Sequence, residues 1–313
     1  MVRRLLPACR AFVAMTDSVR LAFDTDGCVA HAEIGLVGGG IREYVCCGRD
    51  VVPMDTDVAR RSWYSGTTLA PWPNRLAGGA WTADGVLYEG DCNDGGKHAL
   101  HGLVYDAEFA VQQQSPTSVT LCYDLGDDAI YPFAVRITIT YTIEKCGLVC
   151  EISATNRSDV RVPIALGAHP YFPYDPDTRL VTSAPQFAEV GADMIPTGNL
   201  LPSSSRGVIA NGETVLGAVS LDNCFSGMTR DGSGRAETAL QYRDGAVTVV
   251  WQDDQLDYLQ MFTKPDFPWA AGSAGAIGIE PQSAPPNALN SGDGLRWLSP
   301  GDAFSVRWGI EVR

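Results

Sequence analysis

A single large antiparallel β-domain is the fold class this sequence predicts, and three observations carry it. The clearest hydrophobic period is two rather than 3.6: Val135, Ile137, Ile139, Tyr141 and Ile143 alternate with Arg136, Thr138, Thr140, Thr142 and Glu144, the pattern of a half-buried strand. The chain carries 33 glycines and 19 prolines among 313 residues, which points to many short elements joined by turns. No amphipathic helical stretch exceeds about ten residues.

The elements follow in order. Strands are expected near 19–24, 28–37, 41–47, 85–89 and 117–124, with one or two helical turns within 54–61. Gly38-Gly39-Gly40 reads as a strand-to-strand turn, since no Gly-Lys-Ser/Thr follows to make a phosphate loop. Residues 133–155 read as one long hairpin turning at Lys145-Cys146-Gly147, because Leu148, Cys150, Ile152 and Ala154 resume the alternation. Asp244-Gly245 is a hairpin signal between Leu240-Tyr242 and Val247-Val249-Trp251. Phe304, Val306, Trp308 and Ile310 mark the last strand. Residues 16–313 read as a single domain and 1–15 as a disordered or non-native start. That start imitates a signal peptide, but Pro7 and Arg10 interrupt its apolar stretch, which favours a cytoplasmic protein.

Composition excludes several function classes. A hydrophobic fraction of 45% rules out disorder as the main state, and a net charge of −14 disfavours nucleic acid and anionic membrane surfaces as partners. No apolar run approaches a membrane span. The nine cysteines include no C-x-x-C pair and read as small buried apolar residues in a reducing compartment. His98-x-x-His101 lacks a third ligand at suitable spacing, so no metal is expected. Asp253-Asp254-x-x-Asp257 lacks the glycine and terminal glutamate of a calcium loop and reads as a solvated turn. Asn156-Arg157-Ser158 is a formal glycosylation sequon, irrelevant in the cytoplasm.

Four segments pair polar groups with rigid turn residues: Ala70-Pro71-Trp72-Pro73-Asn74-Arg75, Ala99-Leu100-His101-Gly102, Gly167-Ala168-His169-Pro170-Tyr171-Phe172 and Gly278-Ile279-Glu280-Pro281-Gln282 through Ala288. With Leu221-Asp222-Asn223-Cys224-Phe225 and Leu259-Gln260-Met261-Phe262-Thr263, in this order, the chain from about 20 to 313 resembles the aldose 1-epimerase (galactose mutarotase) family. It differs from common family patterns at Ala168, Asn223 and Pro281. The resemblance implies an antiparallel β-supersandwich and interconversion of the α- and β-anomers of a free sugar. It implies Glu280 as general base, His169 as general acid, and Asn74, Arg75, His101 and Asp222 as sugar-binding residues.

Anomerisation needs two proton transfers and no redox step, so a carboxylate and an imidazole suffice and no cofactor is expected. The expected geometry is one cleft, with Glu280 and His169 facing each other across a gap the width of a pyranose. The expected ligand is a free hexose such as galactose or glucose, on a monomer or homodimer. Hexose 6-phosphate epimerisation and non-catalytic sugar binding are the rival readings. The motifs contain one cation, Arg75, where a phosphate is usually held by several.

Overall fold

The computed structural model describes residues 17–25 and 27–313, so the expected disordered or non-native start lies outside the described residues. Among the described residues, antiparallel ladders build two large sheets, a four-stranded one and three two-stranded ones. The strands Ser18–Thr25, Cys28–Gly35, Ile41–Cys46 and Arg49–Val52 form a four-stranded meander. A nine-stranded sheet runs Ala110–Gln114, Ser118–Leu125, Val135–Glu144, Gly147–Asn156, Ala303–Val312, Val247–Gln252 and Ala236–Gln241, then the short strands Arg179–Thr182 and Gly212–Val215. An eight-stranded sheet runs Pro196–Pro202, Gln186–Val190, Asp222–Ser226, Tyr258–Trp269, Gly272–Gln282, Gly167–Ala168 and Thr68–Leu69, with Tyr171–Pro173 also paired to Gly272–Gln282. One continuous apolar core reaches from Val19 and Leu21 to Val306, Trp308 and Ile310. No helix among the described residues is long and apolar enough to cross a membrane.

The alternation at 135–143 does what its period requires. Val135, Ile137, Ile139, Tyr141 and Ile143 are all buried, as are Leu148, Cys150, Ile152 and Ala154 on the partner strand. Each large aliphatic side chain buried contributes about 1.5–3 kcal/mol, and a one-residue slip would turn the whole set outward, so the register is fixed. The turn is tighter than expected: Glu144 pairs with Gly147, leaving Lys145-Cys146 as a two-residue turn with Cys146 at φ 58°. The second hairpin pairs Gln241 with Val247, and Gly245, at φ 87°, makes the turn.

The helical turns expected within 54–61 appear as a helix at Asp57–Trp63, where the Thr56 hydroxyl accepts from the Ala59 amide at 3.1 Å. The chain leaves that helix through Tyr64 at φ 53°, which turns the Tyr64 ring back over the cleft described below. The triple glycine is a turn, and one of its members is a packing requirement. A Cβ on Gly40 would lie 1.9 Å from the Gly66 carbonyl oxygen, so two backbones meet there without side chains.

The segment around Glu280 is a strand for only part of its length. The strand runs through Glu280 and Pro281 to Gln282, and the chain leaves the sheet at the Ser and Pro residues that follow. The small residues bring neighbours close: a Cβ on Gly275 would lie 2.6 Å from the Tyr174 carbonyl oxygen. Asn156 is buried and donates to the Val160 and Leu298 carbonyls, so the formal sequon is a structural asparagine.

The cysteine reading also needs correcting. Cys122 is disulfide-bonded, and Cys47 is exposed rather than an apolar filler.

Candidate active site

The period of the strand sets the floor of the site. Glu280 lies opposite Gln260 across the ladder between Tyr258–Trp269 and Gly272–Gln282, and Asp222 lies opposite Phe262 on the next ladder. Alternation then puts Asp222, Gln260, Phe262, Glu280 and Gln282 on one face of the eight-stranded sheet. Gly278 stands two residues before Glu280 on the same face, and a Cβ there would come 3.1 Å from Glu280 Oε1. Glycine leaves that carboxylate its space.

His169 is delivered by two anchor points on the same strand. Gly167 pairs with Gln282 and Tyr171 with Gly278, so the chain between them crosses beside Glu280. The His169 amide donates to the Thr67 carbonyl at 3.0 Å and its carbonyl accepts from Gly66 at 2.9 Å, which fixes the backbone. The result is a contact of 3.3 Å between His169 Nε2 and Glu280 Oε1. The expected ring-wide gap is therefore wrong. The hydroxyl oxygen O1 and the ring oxygen O5 of a pyranose are bonded to one carbon, so groups that serve them belong side by side.

The third wall comes from two short strands, Arg75–Ala77 and His98–Leu100, with Arg75 opposite Leu100. Asn74 and His101 are left-handed, at φ 57° and 67°, and are strapped together. The Asn74 amide donates to His101 Nδ1 at 3.2 Å, and the His101 amide donates to the Asn74 carbonyl at 2.9 Å. With Nδ1 accepting, neutral His101 carries its proton on Nε2. Gly102 is obligatory beside it: a Cβ would lie 2.1 Å from the Ala70 carbonyl oxygen. Arg75 Nε donates to Asp94 Oδ2 at 2.7 Å, and Asn287 binds this strand by donating from its amide to the Arg75 carbonyl at 2.6 Å.

All six residues singled out from the sequence, Asn74, Arg75, His101, His169, Asp222 and Glu280, line one cleft of about 300 Å³. Sequence reasoning missed Tyr64, Asn93, Asp94 and Gln260, which line it too. Gln260 was the detectable one, a polar residue between Leu259 and Met261 in a quoted segment. It donates to Asp222 Oδ1 at 2.6 Å and fixes that carboxylate. Tyr64 packs edge-on against the His101 ring at 4.6 Å. Tyr171 lines the cleft, while Trp72, Trp81 and Phe172 are buried in the core. His98 accepts the Gly78 amide on Nδ1 at 3.1 Å, so both histidines of the H-x-x-H pair serve backbone groups.

Burial decides the electrostatics. Desolvation, then the Asp222 charge, push the Glu280 carboxyl well above the usual carboxylate range, against Gln282, which donates to Oε2 at 3.1 Å, and Arg75. Burial takes the His169 imidazole down to about 3. Burial, His169 and Arg75 hold His101 well below its ordinary value. Distance alone would make His169–Glu280 an ion pair. Both groups are buried and, among the described residues, His169 Nδ1 has no hydrogen-bond partner, so the favoured form is a neutral imidazole beside a carboxyl that keeps the proton. Asp222 is raised by burial and held back by Arg75 and Gln260.

The family model for aldose 1-epimerase matches residues 23–311. The chain belongs to the aldose 1-epimerase family. It is 27% identical to the uncharacterized protein YihR of Escherichia coli (strain K12), over 90% of this chain and 89% of that protein. It is also 27% identical to galactose mutarotase of Sus scrofa, over 44% of this chain and 43% of that one. Its fold is that of a putative aldose 1-epimerase from Escherichia coli K12, with a TM-score of 0.80 at 19% identity over 95% of this chain and 99% of the other. The GalM/aldose epimerase homologue from C. elegans gives a TM-score of 0.81 at 19% identity, again over 95% and 99%. The fold is thus galactose mutarotase-like, as the motifs implied. The three departures from common aldose 1-epimerase patterns, Ala168, Asn223 and Pro281, do not line the cleft.

Proposed function

We propose that this chain interconverts the α- and β-anomers of a free aldohexose such as galactose or glucose. The observation that carries the reading is the 3.3 Å contact between Glu280 and His169 on the floor of a sugar-sized cleft. The pair holds one proton to share. With a sugar bound, Glu280 as carboxylate removes the proton from the O1 hydroxyl while His169 as imidazolium protonates O5. The C1–O5 bond breaks, the open aldehyde rotates about C1–C2, and closure on the other face runs the two transfers in reverse. The neutral pair and the charged pair contain the same number of protons, so entry into the cycle needs only a shift between neighbours. Arg75, His101 Nε2, Asn74 and Asp222 supply donors and acceptors for sugar hydroxyls.

The charge around the pair favours a neutral sugar. Arg75 is the one permanent cation among the cleft-lining residues, and Asp94 already engages it, while Asp94, Asp222 and Glu280 add three carboxyls. Lys264 lies over the Trp63 ring at 4.7 Å and pairs with Asp266. A dianionic phosphate finds no cluster of cations there. Polarimetry of freshly dissolved α-D-glucose and α-D-galactose, with and without the protein, tests the proposal. Acceleration of mutarotation is expected for at least one of them. No acceleration of either, with measurable sugar binding, would replace the enzyme by a binding protein. A kcat/KM for glucose 6-phosphate at least about tenfold above that for glucose would move the substrate to phosphorylated hexoses.

A further inference from the structure

Cys28, the adjacent pair Cys46-Cys47 and the distant Cys146 bring their sulfur atoms together, all within 4.8 Å of one another. Four of the separations are 3.9 Å (Cys28–Cys46), 3.8 Å (Cys46–Cys47), 3.9 Å (Cys47–Cys146) and 3.5 Å (Cys146–Cys28). No two of the four are joined, since each is a free thiol. We propose that these four cysteines form a tetrathiolate zinc site that clamps the N-terminal meander to the tip of the Val135–Asn156 hairpin.

The dimensions favour this over a chance cluster. A tetrahedral zinc with Zn–S bonds of about 2.3 Å spaces its sulfurs about 3.8 Å apart. A planar ring with the observed sides would need a diagonal of about 5 Å or more, which the 4.8 Å limit excludes, so the four sulfurs are folded towards a tetrahedron. Soft thiolates in that geometry select zinc among the common divalent ions.

The backbone supports the same assignment. Cys28 opens the strand Cys28–Gly35 and Cys46 ends the strand Ile41–Cys46, where it pairs with Ala30. The Cys47 amide donates to the Val29 carbonyl at 2.9 Å, which holds the turn under the cluster. Cys146 comes from the other sheet, and its carbonyl accepts from Val312 at 2.9 Å. Cys47 and Cys146 both sit in left-handed turn positions, at φ 51° and 58°. Glycine or asparagine suits such positions better, so a thiol at each needs another reason. Cys28 and Cys46 are buried while Cys47 is exposed, which gives an ion its way in. The buried Tyr44 hydroxyl stands on the same strand face as Cys46, where a zinc-bound thiolate would accept its hydrogen bond. On binding, the four thiols release four protons to solvent and the ion keeps its oxidation state, so no redox partner is involved. No residue of this cluster lines the catalytic cleft, so the site stands apart from the proposed sugar chemistry.

The test is metal analysis of the full chain, purified with reductant and without chelator. One zinc per chain is expected, and cobalt(II) exchanged into the protein should give the intense thiolate-to-metal charge-transfer and visible bands of a tetrahedral tetrathiolate centre. Cys146→Ser and Cys47→Ser should abolish those bands, and Cys92→Ser should leave them intact. The cobalt titration of the wild-type chain decides the matter even if a cysteine variant fails to fold. Failure of the wild-type chain to take up zinc or cobalt would overturn the proposal. So would two disulfides among the four cysteines in the unreduced protein, iron in place of zinc, or loss of the bands in Cys92→Ser.

Discussion

Replacing Glu280 by Gln isolates the base from the rest of the site. The carboxyl is buried, with one oxygen accepting from Gln282 at 3.1 Å and the other 3.3 Å from His169 Nε2. An amide of the same shape keeps both contacts: its oxygen accepts from Gln282 and its NH2 faces a neutral imidazole. The fold should therefore survive, and a buried group that resists ionisation is gone. What is lost is the proton acceptor, which contributes about 10²–10⁴-fold. At 1.36 kcal/mol per tenfold, that is about 2.7–5.4 kcal/mol of barrier. Polarimetry at several enzyme concentrations, with the spontaneous rate subtracted, should show kcat reduced by at least about 10²-fold. KM should change little, because the loss falls on the chemical step. The double variant Glu280→Gln/His169→Asn should lose less than the product of the two single losses, since the pair acts on one proton inventory. A folded Glu280→Gln enzyme with kcat within about tenfold of wild type would refute the assignment of the base.

His169→Asn alone should cost a comparable factor in kcat, and an unchanged kcat would remove it as the acid. Arg75→Ala removes the one cleft cation and should lower kcat/KM by about 10–10²-fold, with a smaller loss of kcat than Glu280→Gln; unaltered kinetics on every aldose would make Arg75 purely structural. The pH profile carries a sign. Burial takes His169 down to about 3, so a second proton joins the pair only in strong acid, and kcat/KM should stay flat as pH falls through 6.5. The alkaline limb should mark loss of the pair's single proton, held by a carboxyl raised by burial, and Glu280→Gln should abolish it. An acid limb near 6.5 would mean that His169 titrates as an exposed imidazole. Gly102→Ala should destabilise by at least about 2 kcal/mol in denaturant titration, because its Cβ meets the Ala70 carbonyl oxygen at 2.1 Å. Gly85→Ala, with open space around it, should cost only about 1 kcal/mol, and equal effects would show that the close approach at Gly102 is unimportant.

What the sequence revealed tracks where polar and apolar residues are forced to alternate. The hairpin at 135–156 was legible because one face is buried and the other is Thr, Arg and Glu. The strand Gly272–Gln282 was hidden because its buried half is buried on both faces, Ile277, Ile279 and Pro281 on one and Ala276, Gly278, Glu280 and Gln282 on the other, which erases the period. The six cleft residues were legible as motifs, although nothing local to Glu280 distinguishes it from a solvated loop acid. Their distances were not legible, and the contact between Glu280 and His169 emerged only once Gly167 and Tyr171 were seen paired to one strand. Tyr64, Asn93 and Asp94 sit in turns and loops whose positions depend on the assembled sheets. The cysteine cluster escaped for a similar reason: its members are contributed by two sheets, with none of the short spacings that mark a metal site in a single loop.

The placement of Glu280 on a central strand, with Arg75, Asn93, Asp94 and His101 in edge strands and connecting loops, divides the protein into a part that resists change and a part that tolerates it. Moving the carboxylate by one residue would invert every side chain on that strand, so mutation has almost no gradual route by which to alter the reacting pair. Tyr64, Asn93 and Asp94 lie outside that strand's ladder, so under the proposed function substitutions at these three positions alter which hydroxyls are met and leave the strand register alone. Under the proposed function, selection, natural or in the laboratory, explores new sugars through Tyr64, Asn93 and Asp94 while keeping the Glu280–His169 pair. A library confined to those three positions should yield altered sugar preference far more often than inactive protein.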